Sequence, residues 1–308
     1  MTNLFSSLVF EGGGVKGIAY AGAVDVLESR GIMAGVKRVA GTSAGAVTAA
    51  LLACGANAES LRRIIVSTPW RSFEDHGRLP FAQIYSLFHD YGWFKGNVLG
   101  AWIREQIGSL TGHPDMTFAD LKAATDSHSS ATSFRNLYVI TCNLTDQTPV
   151  IFGPDTTPGA AIWKAVRASG SIPLFFVPVG IDGDEHVDGG CVWNYPISLF
   201  DEGGTCNPQT LGFRVGSPGG PAPRTIGSLK NYAEALIGFL VDSCNRSHLA
   251  AGDWNRTVWI DSGGIGATDF NLTAVQAQTL VAAGEAGAKK YFDWLDSQQA
   301  PSGRQGTP

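Results

Sequence analysis

The chain reads as an α/β fold built on a mostly parallel sheet covered on both faces, and three observations predict it. Near the N terminus, the apolar run Ser7 to Phe10 passes through Glu11-Gly12-Gly13-Gly14-Val15-Lys16-Gly17 into helical spacing from Ile18 to Arg30, with Gly31 as the C-cap. A second unit repeats the plan: strand Val36 to Ala40, turn Gly41-Thr42-Ser43-Ala44-Gly45, then an alanine- and leucine-rich helix from Ala46 to Cys54 closed by Gly55. Further strands at Leu211 to Val215 and Thr257 to Ile260 are separated by a helical region from about Ser228 to Ala251. Strands alternating with helices build parallel sheets, because each crossover helix packs back onto the sheet.

The intervening elements follow from local signals. Asn57 caps a helix through about Val66, stopped by Pro69. From Trp70 to Lys95 aromatics recur without clean periodicity (Trp70, Phe73, Phe81, Tyr85, Phe88, Tyr91, Trp93, Phe94), as core packing or as a flap over an apolar site. Asn97 to Leu110 is an amphipathic helix, and Thr117 with Asp120 forms a capping box. Leu137 to Cys142 and Pro149 to Phe152 make a hairpin around Asp146-Gln147, followed by a helix from Ala160 to Ser169. The apolar run Ile172 to Val179 is either a channel wall or a proline-tolerant edge strand. A turn at Asp182-Gly183 leads into a strand ending at Asp188, and a last helix runs from about Thr273 to Ser297. With no linker or internal repeat, one domain over 1–308 is expected: a motif-bearing core at about 8–200, C-terminal strands and helices at 201–297, and a polar tail at 298–308.

Composition narrows the function. Hydrophobic content of 44% against 16% charge supports a substantial core, and a net charge of −5 without a basic cluster excludes a nucleic-acid partner. The N terminus carries no positive n-region and no segment is apolar enough to span a bilayer, so a soluble protein is expected. Five widely spaced cysteines (Cys54, Cys142, Cys191, Cys206, Cys244) fit free thiols in a reducing compartment. The cytoplasm is the default location, and export by a signal-less route has the same signature.

The chemistry centres on Ser43. In G-x-S-x-G the glycines keep Cβ atoms out of a strained strand-to-helix turn, so the serine Oγ stands exposed at the carboxyl edge of the sheet over a helix N terminus. With 39 glycines in 308 residues the pentapeptide alone is weak evidence. The Gly12 to Gly17 loop has the form of an anion cradle, its backbone N–H groups converging at a helix start. Gly12, Gly14 and Gly17 also match G-x-G-x-x-G, but the second strand ends in Gly41-Thr42-Ser43 where a dinucleotide fold needs an acidic residue, and no Lys-Ser or Lys-Thr completes a Walker loop. Asp182, Asp184, His186 and Asp188 alternate like calcium ligands, but Val187 and Trp193 stand where that loop needs glycine and glutamate. Asp188 followed by Gly189 and Gly190 reads instead as a carboxylate at a strand terminus open to close approach. Of the six histidines, His76, His89, His113, His128, His186 and His248, none has a persuasive setting as the base of a triad.

Taken together, the glycine loop from Gly12, Gly41-Thr42-Ser43-Ala44-Gly45 and Asp188-Gly189-Gly190 resemble, in order and spacing, the three motifs of patatin-like phospholipases. Val166-Arg167-Ala168-Ser169 with Ile172-Pro173, and Asn194-Tyr195-Pro196, are similar to the bacterial branch. The resemblance implies a three-layer α/β/α fold and a Ser-Asp dyad without histidine. Ser43 would be the nucleophile and Asp188 its base, with Gly12, Gly13, Gly14 and Ala44 supplying the oxyanion hole, and with no metal or cofactor. It implies ester hydrolysis of phospholipids or lysophospholipids, with peripheral membrane contact through apolar side chains near the pocket mouth. An acyltransferase on the same dyad and a non-catalytic lipid-binding or storage protein are the alternatives. Glu11 before the glycines is a departure from many family members, and Lys16 is either a contact for a lipid phosphate or a solvated lysine.

Overall fold

The computed structural model describes residues 4–75, 86–87, 89–127, 134–218, 225–228, 231–233, 235–236, 238–239 and 250–299. In chain order the elements are β1 (Ser7–Phe10), a 3-10 turn (Gly14–Ile18), α1 (Ala19–Ser29), β2 (Arg38–Thr42), α2 (Ala44–Ala53), α3 (Ala58–Ser67), β3 (Gly92–Phe94), α4 (Asn97–Thr111) and α5 (Phe118–Asp126). They continue with β4 (Asn136–Asn143), β5 (Thr148–Phe152), α6 (Ile162–Ser169), β6 (Leu174–Phe176), β7 (Val179–Ile181), β8 (Asp184–Asp188), the single turn α7 (Gly190–Trp193), β9 (Thr210–Gly216), β10 (Thr257–Asp261) and α8 (Ala274–Gln299).

The main sheet is parallel through β10, β9, β1, β2 and β4, then turns antiparallel with β5, β8 and β7. Strand β4 organises the far half. On one edge β2 runs beside it until Thr42 pairs with Ile140, while β5 fills the opposite edge over Val139–Asn143. A strand has only two edges, so β8 takes the β2 edge just beyond that point, with Asp188 opposite Thr141. Strands β2 and β8 therefore approach each other end to end along one side of β4.

The larger core lies on the face where α1, α2, α3 and α8 pack, with Phe10, Tyr20, Leu52, Phe213 and Phe292 fully enclosed; Phe10 stacks on Phe213 at 4.9 Å. Alternation along the strands sends Val9 and Ala40 to the other face, where Tyr195, Ile197 and Phe200 cover them.

Local signals hold where short-range chemistry decides. Asn57 and Thr117 both form reciprocal capping boxes, Gly31 is left-handed at φ 71°, and the hairpin turn at Asp182-Gly183 takes φ 53° and 96°, as a type I′ turn requires. Some boundaries differ from expectation. The second strand begins at Arg38 rather than Val36 and runs through Gly41 and Thr42, and helix α2 begins at Ala44, directly after the serine. The apolar run from Ile172 splits: β6 leaves the main sheet to pair with β3, and β7 forms the edge of the main sheet. In the aromatic stretch Phe73 and Phe94 are core, Trp70 and Trp93 pack against it and Tyr91 is exposed, whereas Phe81, Tyr85 and Phe88 lie outside the described residues. The helical region expected from Ser228 falls largely outside them too, with helix over the described part of 231–239 and a 3-10 turn at Ala251–Arg256. Among the described residues no helix is long and apolar enough to cross a membrane, and Cys54, Cys142 and Cys206 are free thiols.

Candidate active site

Ser43 sits at the junction of β2 and α2 with φ 54° and ψ −126°, a strained conformation for a residue with a side chain. The flanking glycines permit it: a Cβ on Gly41 would lie 2.3 Å from the Gly45 carbonyl, and one on Gly45 would lie 2.3 Å from the Phe10 carbonyl oxygen. The Ser43 hydroxyl lies close enough to the Asp188 carboxylate to lower its pKa, and that carboxylate accepts the Gly190 N–H at 2.7 Å. The end-to-end approach of β2 and β8 explains this meeting of residues far apart in sequence. Both groups are secluded, Ser43 at 6% exposure and Asp188 at 5%. Burial pushes the Asp188 carboxyl up from 3.8 to about 6, against the opposing effect of the nearby Ser43 hydroxyl and the Gly190 N–H. An ordinary aspartate is about 2.5 pKa units less basic than histidine, and this site removes most of that deficit.

The glycine loop follows β1, whose Phe10 pairs with Gly41, so it lies beside the serine turn at the carboxyl ends of the parallel strands. Gly14 is left-handed at φ 55°, and a Cβ there would meet the Ala267 carbonyl oxygen at 2.0 Å. The same oxygen accepts the Val15 N–H at 3.0 Å. The backbone N–H groups of Gly13, Gly14 and Ala44 find no acceptor among the described residues, and Ala44 opens helix α2. Gly12 differs from the expectation that it donates to an oxyanion: its N–H already donates to the Asn194 carbonyl at 3.0 Å, while its carbonyl accepts from Asn194 Nδ2 at 3.2 Å. Gly12 thus serves close packing, since a Cβ there would lie 3.1 Å from that of Ser43.

Glu11 is buried behind this loop in an ion pair with Arg214 (2.9 Å) and accepts the Val215 N–H at 3.2 Å. Burial holds its carboxyl above the usual carboxylate range, with Arg214 opposing. Lys16 reaches back toward the Val215 carbonyl at 3.4 Å.

No histidine among the described residues bonds Ser43. His186, two residues before Asp188, uses Nδ1 on Thr141 Oγ1 at 3.1 Å and packs edge-on to Phe152. His89 faces Asp90, while His76, His128 and His248 lie outside the described residues. Asp201, Cys206 and Asp253 converge as three potential metal-ligand groups, but the Arg256 guanidinium bonds both carboxylates and supplies the counter-charge a cation would bring. Cavities of about 450 Å³, lined by Arg62 and Gln278, and about 320 Å³, lined by Pro69 and Trp102, include neither Ser43 nor Asp188 in their walls.

Sequence reasoning missed three residues around the pair. Ser169 accepts the Ser43 N–H through its hydroxyl at 2.8 Å, Ser171 accepts the Asp188 N–H through its carbonyl at 2.9 Å, and Asn194 clamps Gly12. The similarity of Val166-Arg167-Ala168-Ser169 and Asn194-Tyr195-Pro196 to the bacterial branch was a signal that these segments matter, without saying how.

With this geometry in hand, known proteins give the family. YqhO of Bacillus subtilis (strain 168) is 31% identical over 297 residues, covering 90% of this chain and 94% of its own. Lysophospholipase NTE1 of Mycosarcoma maydis is 27% identical over 221 residues, which is 71% of this chain but only 10% of that larger protein. Among solved structures, VipD from Legionella pneumophila shares the fold with a TM-score of 0.67 at 20% identity, covering 94% of this chain and 67% of that one. A family model for patatin-like phospholipases matches residues 8–201, the span that carries the glycine loop, Ser43 and Asp188. This chain therefore belongs to the patatin-like phospholipase family, whose general activity is lipid hydrolysis.

Proposed function

We propose that this protein is a serine lipid acyl hydrolase of phospholipase A or lysophospholipase type, with Ser43 as nucleophile and Asp188 as its general base. The observation that carries the reading is the strained Ser43 turn brought by β2 and β8 against the secluded Asp188 carboxylate, beside amides that find no acceptor among the described residues. In the first step Ser43 Oγ attacks the ester carbonyl carbon while Asp188 takes the hydroxyl proton. The N–H groups of Gly13, Gly14 and Ala44 stabilise the developing oxyanion, each contributing about 3–4 kcal/mol in a dry site. The tetrahedral adduct collapses, the bond to the alcohol oxygen breaks, and Asp188 returns its proton to that leaving group. Water then attacks the acyl-enzyme, Asp188 accepts its proton, the fatty acid leaves and Ser43 is reprotonated.

The lipid class comes from the family and from the lysophospholipase activity in the name of one relative. Peripheral contact with a bilayer fits the exposed Tyr91 (68%), just before β3, and Leu174 (44%), the first residue of β6, which pairs with Gly92. The test is hydrolysis of a labelled phospholipid and its lyso form by wild type, Ser43→Ala and Asp188→Asn, with a fluorophosphonate probe for the serine. Both variants are expected to lose fatty-acid release, and Ser43→Ala to lose labelling. Substantial turnover by folded Ser43→Ala refutes the reading. An added alcohol acceptor distinguishes transfer from hydrolysis.

A further inference from the structure

We propose that Ser169 is a positioning residue for the nucleophile, within a segment, Arg167 to Ser171, that sets the spacing between Ser43 and Asp188. The inference rests on the Ser43–Asp188 reading above and assigns the control of that pair to a part of the chain outside the three motifs. A strained turn such as that at Ser43 persists only when its surroundings over-determine it. Helix α2 cannot satisfy the Ser43 N–H, which precedes its first turn, so the acceptor has to come from elsewhere. Ser169 Oγ supplies it at 2.8 Å and passes its own proton to the Ile140 carbonyl at 2.6 Å. Ile140 is the residue of β4 paired with Thr42, so one fully buried hydroxyl fastens the end of β2 to β4 just before the nucleophile.

Two residues later the same segment reaches the base. The Ser171 carbonyl accepts the Asp188 N–H at 2.9 Å, where β8 arrives from the opposite direction. Ser171 is itself held: its hydroxyl donates to the Arg167 carbonyl at 2.9 Å and accepts from the Arg167 guanidinium. That guanidinium also bonds the carbonyls of Gly96 (2.7 Å), Lys95 (2.9 Å) and Val177 (3.3 Å) and lies over the Phe176 ring at 5.2 Å. Burial lowers its pKa to about 10, which leaves it a cation at neutral pH. Five consecutive residues thus hold the nucleophile by a side chain and the base by the main chain, anchored by a buried arginine. Ser169 meets the Ser43 amide rather than its hydroxyl, so its influence on chemistry runs through geometry.

The test is Ser169→Ala in the full chain, with kcat, KM and the acid limb of the pH profile measured on a soluble ester, and Ser43→Ala run alongside. Without the hydroxyl, the turn relaxes and Ser43 drifts from Asp188. A drop in kcat of about 10- to 100-fold with KM nearly unchanged is expected. The acid limb should also move to higher pH, because Asp188 loses the nearby Ser43 hydroxyl that restrains its upward shift. If Ser169→Ala does not fold, Ser169→Cys, a weaker acceptor of similar shape, is judged by the same criteria. Wild-type kcat, a loss with the acid limb unmoved, or a KM that rises in step overturns the proposal. Activity surviving in Ser43→Ala refutes instead the dyad on which it rests.

Discussion

Replacing Asp188 by asparagine should destroy turnover and at the same time stabilise the fold, because the carboxylate is held where its charge is disfavoured. Its carboxyl titrates near 6 in the folded chain against 3.8 for an unperturbed aspartate. Below pH 3.8 the group is neutral in both folded and unfolded chains and costs nothing. As pH rises from 3.8 to 6 the unfolded chain ionises first, and above 6 the folded chain carries a cost of about 3 kcal/mol, the free energy equivalent of that pKa gap. Asparagine is isosteric, still accepts the Gly190 N–H, offers an N–H to Ser43 and never ionises. The stability difference between variant and wild type should therefore be near zero at pH 4, grow through pH 5 and level off above pH 6. The plateau is about 3 kcal/mol, or about 6 °C in melting temperature for a chain of this size. Urea unfolding of both proteins from pH 4 to 7.5 measures it, and the wild-type kcat/KM profile should fall through the same pH range as the base protonates. The variant should lose about 10³-fold or more in kcat. A difference that does not change with pH, or a wild-type acid limb well below 5, refutes the account of Asp188 as a desolvated base.

His186→Gln should keep kcat/KM within about threefold while costing about 1 kcal/mol in urea unfolding, since the imidazole bonds Thr141 and packs on Phe152 rather than bonding the serine; complete loss of activity would restore a triad. Gly14→Ala forces a left-handed alanine against the Ala267 carbonyl and should cost at least about 1–2 kcal/mol and slow fluorophosphonate labelling, with wild-type labelling as the contrary result. Arg214→Met takes the guanidinium from buried Glu11 and leaves it the attraction of Lys16, and should destabilise by about 1–3 kcal/mol in urea unfolding, an effect absent if the pair is dispensable. Truncation after Asp201 removes β9, which pairs with β1, together with Arg214 and Ala267; no folded, probe-reactive fragment is expected, and a fragment labelled by the probe would contradict this.

The sequence made local features legible and long-range ones not. Capping at Asn57 and Thr117, the left-handed Gly31 and the turn at Asp182-Gly183 are decided within a few residues, and each took the form that its residues dictate. Ser43, Asp188 and the glycine loop were identifiable through a resemblance of three ordered motifs, whereas periodicity alone left several roles open. Gly12 misled because its glycine marks a close approach as well as a bare amide, and which one applies depends on Asn194, 182 residues away. Ser169 gave no sign of its partner because a single hydroxyl 126 residues from Ser43 leaves no local pattern. The pairing of β3 with β6 was hidden because three-residue strands carry almost no period, and their partnership depends on tertiary packing.

The meeting of β2 and β8 on one side of β4 sets a length constraint on this part of the gene. One codon inserted within β8 would carry the carboxylate about 3.4 Å along the sheet and turn it to the opposite face. The loop between β7 and β8, at the far end of that strand, can grow or shrink without moving the carboxylate at all. Natural length variation among homologous chains should therefore gather at Asp182-Gly183 and spare the five residues that end in Asp188.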